Sequence, residues 1–287
     1  MAVSEDAVWV TSQRGLFRID VATSEAVNVL PEEYLYRVAI SSGSVWMTTG
    51  ENGHVVRFDP DTKSVAAEID VRAGPVTDLA VSEDAVWASA SSDLVRIDPA
   101  TNEIVARLRS QGGFGDIALG ESGLWVVSGS GEQGAVWRID PATNDVRQRI
   151  PLANPSYWNE IAVGSGAVWV TSSPTVYTDG QALVHLHRID PLSGDITAEV
   201  PLGDGPSELG TDEGAVSYSE LALAEDSVLV LVSYEGLLLT VDTDKLSVSK
   251  TEDGVDCCSG LGPGMTVGAG SVWITVADAI MRFSLEG

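Results

Sequence analysis

A chain of 287 residues, 44% of them hydrophobic and with a positive mean hydropathy, is able to bury a sizeable core. Its 42 acidic against 16 basic residues leave a net charge of −26, and such a surface repels nucleic acid and anionic membranes while favouring cations. The longest apolar run, around Ser227 to Val241, is interrupted by Ser233, Tyr234, Glu235 and Gly236, so no segment reads as a membrane span.

The chain repeats itself. AVSEDAVW at 2–9 recurs unchanged at 80–87. The unit is clearest at 75–111, where a short apolar strand A (PVTDLAV), a turn (SED), strand B (AVWASAS), strand C (LVRID), a tight PATN turn and an alternating strand D (EIVARLR) follow one another. The strand B marker returns as Trp9, Trp46, Trp87, Trp125, Trp169, Leu229 and Trp273. The strand C marker returns as Arg18-Ile19-Asp20, Arg57-Phe58-Asp59, Arg96-Ile97-Asp98, Arg138-Ile139-Asp140, Arg188-Ile189-Asp190, Thr240-Val241-Asp242 and Arg282-Phe283-Ser284. A repeat of about 40 residues with period-2 patterning and no helical period predicts an all-β, seven-bladed β-propeller of four-stranded antiparallel blades. It is read as one domain, 1–287, with blades at roughly 1–34, 35–74, 75–113, 114–156, 157–205, 206–258 and 259–287.

Each marker has a physical role. Tryptophan has the area to fill the wedge between blades. The Asp of strand C opens a turn in which its carboxylate accepts backbone N–H bonds and a following proline presets φ. Blade 7 supplies strands A, B and C but no strand D, so the last blade is expected to be incomplete, with an open edge that a further segment covers. Met1 falls inside a copy of strand A, so the start looks cut, and an extracytoplasmic or secreted location is expected with the export signal upstream; the cytoplasm stays open. Cys257 and Cys258 are neighbours and are read as free thiols, their redox state undetermined.

Insertions fall at Ser172–Ala182, Leu202–Ser219 and Glu252–Gly264, which are B–C and D–A connections. All lie on one face of the disc, and long loops on a rigid scaffold are where binding resides. Aligning the residue that leads into strand A gives Arg37, Asp78, Asp116, Glu160, Glu220 and Gly264. These ring the mouth of the central channel, so Asp78, Asp116, Glu160 and Glu220 converge. They would hold a hard cation such as Ca²⁺ or Mg²⁺, raise one another's pKa, or brace neighbouring loops through backbone N–H groups. Arg37 would anchor an anionic group or neutralise the ring. The aromatics Tyr34, Tyr36, Phe114, Tyr157, Trp158, Tyr177 and Tyr218 would wall a pocket or seal the mouth.

Histidines are few. His185 and His187 share a face of strand C in blade 5 and read as a packed interblade pair, His187 taking the slot of Trp137 in blade 4. Glu51 and His54, three apart in a B–C connection, are weak acid/base candidates beside the reading of two solvated loop residues. No Ser/His/Asp order, phosphate loop or Cys-x-x-Cys signature is present.

The segments IAVGSGAVWVTS at 161–172 and RIDPATNDV at 138–146, with their copies, resemble the bacterial propellers related to streptogramin (virginiamycin B) lyase and the broader YncE/NHL-like group. The lyase resemblance implies Mg²⁺-assisted ring opening by elimination, with a His leading into a strand A and a Glu-x-x-His in the next B–C loop. Glu51-Asn52-Gly53-His54 supplies the second element, whereas blade 2 leads in with Leu35, Tyr36 and Arg37 and lacks the first. The group includes enzymes and also non-catalytic binding and sensor domains.

The leading expectation is a non-catalytic propeller that binds a small molecule, protein or peptide on its loop-rich face. The recognition residues would be Asp78, Asp116, Glu160, Glu220 and Arg37 with Trp158 and Tyr218; no cofactor is required, and Ca²⁺ or Mg²⁺ is the ion the ring would take. The alternative is a metal-dependent lyase or hydrolase on the same carboxylates. A purely structural module docking through Leu237, Leu238 and Leu239 is a third reading, and a monomer without nucleic-acid contacts or membrane insertion is expected.

Overall fold

The computed structural model describes residues 1–31, 33–49, 52–129, 134–152, 159–172, 183–204, 219–232, 237–252, 264–276 and 279–285. Blade 3 shows how the repeat folds. Strands β9 (Val76–Val81), β10 (Val86–Ala90), β11 (Asp93–Asp98) and β12 (Glu103–Arg109) pair antiparallel in that order. Trp87 lies opposite Ala80 on one side and Arg96 on the other. Cross-strand neighbours share a face, so the small alanine leaves room for the indole, and the Arg96 guanidinium sits 5.9 Å from the ring centre.

The 27 strands among the described residues, numbered β1–β27 in chain order, build six such four-stranded sheets and a seventh of three strands. No helix occurs among them. The innermost strands are β1 (Ala2–Val3), β5 (Leu35–Ser41), β9, β13 (Phe114–Gly120), β17 (Ile161–Gly164), β21 (Ser219–Ala224) and β25 (Met265–Gly268). Each touches the next, and β25 touches β1, which closes the ring. Close approach at the axis selects small residues there. A Cβ on Gly120, Gly164 or Gly268 would stand within 3 Å of Val163, Leu223 or Val3 on the adjoining inner strand.

Seven apolar clusters hold the disc together, one at each blade interface. Trp9, Trp46, Trp87, Trp125 and Trp169 each pack on the following blade, and Leu229 takes that place between blades 6 and 7. Trp273 closes the circle against Val8, Val10 and Ile19. Burying residues of this size is the main stabilising term of each interface. The same arrangement repeats the stacking of strand C arginine on strand B tryptophan at Trp46, Trp125, Trp169 and Trp273.

The C–D turns are built as the sequence predicts. Asp20, Asp59, Asp98, Asp140, Asp190 and Asp242 each open their turn and accept N–H bonds from its third and fourth residues. These bonds stabilise the charged carboxylate and hold the pKa of Asp20, Asp59 and Asp190 below the ordinary range. Blade 7 is incomplete as expected: β25, β26 (Ser271–Val276) and β27 (Ala279–Ser284) form its sheet, and no fourth strand joins it among the described residues.

Candidate functional site

The register of each inner strand decides what reaches the axis. Ala39, Ala80, Ala118, Ala162, Ala222 and Thr266 lie opposite the marker residues Trp46, Trp87, Trp125, Trp169, Leu229 and Trp273. Two residues earlier, on the same face of the strand, stand Arg37, Asp78, Asp116, Glu160, Glu220 and Gly264. The structure brings the charged five of these together at one end of the channel.

Arg37 is the centre of the group. Its guanidinium lies 3.3 Å from Glu220 Oε1, 3.5 Å from Asp78 Oδ1 and 3.8 Å from Glu160 Oε1, and its Nε donates to the Thr77 carbonyl at 3.3 Å. The acidic side chains are 12–14% exposed and Arg37 is 27% exposed, so the cluster opens to solvent through a narrow mouth. Burial works against the Arg37 charge, but the pull of Glu220, Asp78, Glu160 and Asp116 outweighs it and holds the guanidinium pKa well above its ordinary value.

The second oxygens of the aspartates join the blades. Asp78 Oδ2 accepts the N–H of Ile117 in blade 4 at 2.8 Å, and Asp116 Oδ2 accepts that of Ile161 in blade 5 at 2.9 Å. Asp116 also stands within electrostatic reach of both Asp78 and Glu160. Burial, then the charges of Asp78 and Glu160, push its pKa well above the carboxylate range. Burial and Glu220 do the same to Glu160, while burial raises Glu220 against the opposing pull of Arg37 and the Met1 α-amino group. The Met1 amine reaches the same mouth, where burial lowers its pKa to about 6.

One positioning element escaped the sequence reading. The backbone N–H of Arg37, Glu160 and Gly264 donates to Thr48, Thr171 and Thr275, at 3.1, 2.9 and 2.6 Å. Each threonine stands two residues after the strand B tryptophan, and Thr11 in blade 1 reaches the Tyr36 carbonyl at 2.7 Å. The signal was present as a recurring Val-Trp-x-Thr, which fixes the backbone of the ring and so the direction of its side chains.

The other candidates disperse. His54 Nδ1 bonds Glu68 Oε1 of the outer strand at 2.5 Å, and Glu51 lies outside the described residues, as do Trp158, Tyr218, Tyr157, Tyr177 and both cysteines. Tyr34 and Tyr36 are exposed, and the Arg37 guanidinium stands 5.9 Å from the Tyr36 ring centre. Phe114 is a core residue, 5.3 Å from Trp137 in an edge-on contact. His187 is buried, bonds Ser172 Oγ at 2.6 Å, and has its pKa lowered by burial; His185 lies 3.5 Å from Glu199 Oε1. Among the described residues no group of three or more His, Cys, Asp or Glu is set to hold a metal. A guanidinium and carboxylates so placed can bind charge and hydrogen-bond donors.

No protein-family model and no curated protein sequence matches this chain. Solved structures do match it in shape. A chain of hydrazine synthase from Kuenenia stuttgartiensis aligns at a TM-score of 0.75 and 15% identity, over 99% of this chain and 94% of that one. A chain of a mitotic checkpoint complex aligns at 0.73 and 13% over 99% and 85%, and BamB from Moraxella catarrhalis at 0.61 and 15% over 100% and 82%. At such identities the likeness is one of fold: this chain shares the propeller architecture with proteins of several unrelated functions.

Proposed function

We propose that this chain is a non-catalytic binding propeller that takes a cationic group of a protein or peptide, a lysine or arginine side chain, at the mouth of its central channel. The observation that carries this reading is the convergence of three carboxylates from three blades on a single guanidinium, with Asp116 beside them, in a partly desolvated mouth on a molecule of net charge −26. Negative charge there is in excess, and burial raises the pKa of Asp116, Glu160 and Glu220. An incoming cation favours their charged forms and lowers those values, so that binding is linked to proton release. Propellers present many loops around one rigid axis, which suits them to binding proteins.

The test is calorimetry with tetralysine in buffers of different ionisation enthalpy. Binding accompanied by proton release, tighter at pH 8 than at pH 6, and lost in an Asp116→Asn/Glu160→Gln double variant of unchanged fold supports the reading. Absence of binding at millimolar peptide overturns it. A thermal shift with Ca²⁺ or Mg²⁺ that a chelator reverses assigns the ring to a metal instead.

A further inference from the structure

Arg37 fills the carboxylate ring without being locked into it. Its Nη1, Nε and Nη2 stand 3.3, 3.5 and 3.8 Å from Glu220, Asp78 and Glu160, so three nitrogens are divided among three carboxylates and grip none. Charge-assisted N–H···O bonds are ordinarily about 2.7–2.9 Å long. Elsewhere in this molecule Arg18, Arg107 and Arg147 reach Asp6, Asp93 and Asp140 at 2.6, 2.7 and 2.6 Å. Nor does the ring depend on Arg37 as a brace, because the bonds that join its blades, from Ile117 to Asp78 and from Ile161 to Asp116, involve no Arg37 atom. The backbone beneath the side chain, by contrast, is fixed. Leu35 pairs with Thr49 and Val38 with Met47, so Tyr36 and Arg37 together face Thr48, a β-bulge of the kind that re-aims a side chain. Thr48 takes the Arg37 N–H at 3.1 Å, and Thr11 donates to the Tyr36 carbonyl at 2.7 Å. What remains free to rotate is the side chain. Its guanidinium is the most exposed member of the cluster and lies 5.9 Å from the ring centre of Tyr36, itself exposed.

We propose that Arg37 is a tethered occupant of the carboxylate ring, a built-in competitor that an incoming cationic side chain displaces onto Tyr36 and that sets the affinity of the site. This rests on the binding function proposed above and adds its regulation. The resident group shows what the ring holds: a single positive charge at the end of a flexible stem. A lysine or arginine of a partner presents the same chemistry on another chain, and a compact ammonium is able to approach the carboxylates more closely than the spread guanidinium does. Once displaced, the Arg37 charge is not stranded, because the Tyr36 face stabilises a cation. A ligand meets only the fraction of molecules whose ring is vacant, and its apparent affinity is reduced by that fraction. Removing the occupant therefore tightens binding, although it takes away one of the groups that line the site.

The test compares the parent with Arg37→Met, which keeps a flexible stem and removes the charge, using tetralysine as the probe at pH 8. Calorimetry should show binding at least tenfold tighter in Arg37→Met, and millimolar methylguanidinium should reverse most of that gain by refilling the vacated ring. In the parent, the Nε–H resonance of Arg37 should exchange with water at least tenfold faster once tetralysine is saturating, because displacement breaks its bond to the Thr77 carbonyl. This arm is read on the parent alone, so it decides even where Arg37→Met fails to fold. Equal or weaker binding by the variant, or an Nε–H that stays protected in the complex, overturns the proposal while leaving cation binding at the mouth intact. Binding by Arg37→Met but not by the parent supports the proposal and refutes instead the binding function of the parent chain. Absence of binding by every folded form overturns the two together.

Discussion

Asp116 shows most clearly how position converts an ordinary carboxyl into a special one. It is buried beside Asp78 and Glu160 and braces Ile161 across a blade boundary, and burial and like charges raise its pKa. A raised folded-state value means that the unfolded chain loses this proton first, at an ordinary carboxyl pKa of about 4. Stability contributed at low pH is then lost progressively as pH climbs towards the folded-state value. Asparagine keeps the acceptor for Ile161 and removes the titrating charge. Asp116→Asn should therefore match the parent in thermal melts near pH 4 and exceed it at pH 8, with the gap widening in between. A variant that melts lower than the parent at pH 8 would refute the raised pKa of Asp116. The turn aspartates act in the opposite sense, since Asp20, Asp59 and Asp190 have lowered values and their contribution is lost as pH falls through them.

Within the blade, four of the six strand B tryptophans pack alike but are satisfied differently. Trp125 Nε1 donates to Ser122 Oγ at 3.0 Å and Trp273 Nε1 to the Gly268 carbonyl at 3.2 Å. Trp87 and Trp169 bury the same N–H with no partner among the described residues. Removing a whole indole should cost about 3–5 kcal/mol in either case. Phenylalanine separates them: Trp125→Phe gives up a hydrogen bond as well as area, while Trp87→Phe removes an unpaired donor. Trp87→Phe should be milder by about 1 kcal/mol in denaturant melts, and equal losses would show that ring area alone decides. The strands, their turns and the interblade place of tryptophan were legible in the sequence, because period-2 patterning and the Arg-Ile-Asp-Pro turn are local signals. The threonine two residues beyond Trp9, Trp46, Trp169 and Trp273 was visible but mute, since nothing local says that its hydroxyl meets the backbone of another strand.

At the scale of the molecule, a net charge of −26 on a closed disc is a standing repulsion that counterions relieve. Raising NaCl from 0.02 to 0.5 M, for which the Debye length falls from about 20 to about 4 Å, should raise the melting temperature at pH 8. The rise should shrink near pH 4, where carboxylates protonate; a melting temperature that falls with salt at pH 8 would show that attractive pairs such as Arg107 with Asp93 dominate instead.

By itself the sequence determined seven repeats, four strands in each of six blades and three in the seventh, and the residues that lead into each inner strand. All of these depend on pattern and spacing along the chain. Only the tertiary structure decided that Arg37, from blade 2, stands among carboxylates of blades 3, 5 and 6, and that burial and the charges of Asp78 and Glu160 raise the pKa of Asp116. It also turned His54 away to Glu68 and left β27 half covered. The physical reason is closure. Residues as far apart as Arg37 and Glu220 meet when the ring of blades shuts and brings its inner strands to one axis. Their charges, pKa values and partners are properties of that meeting point, which no single repeat contains.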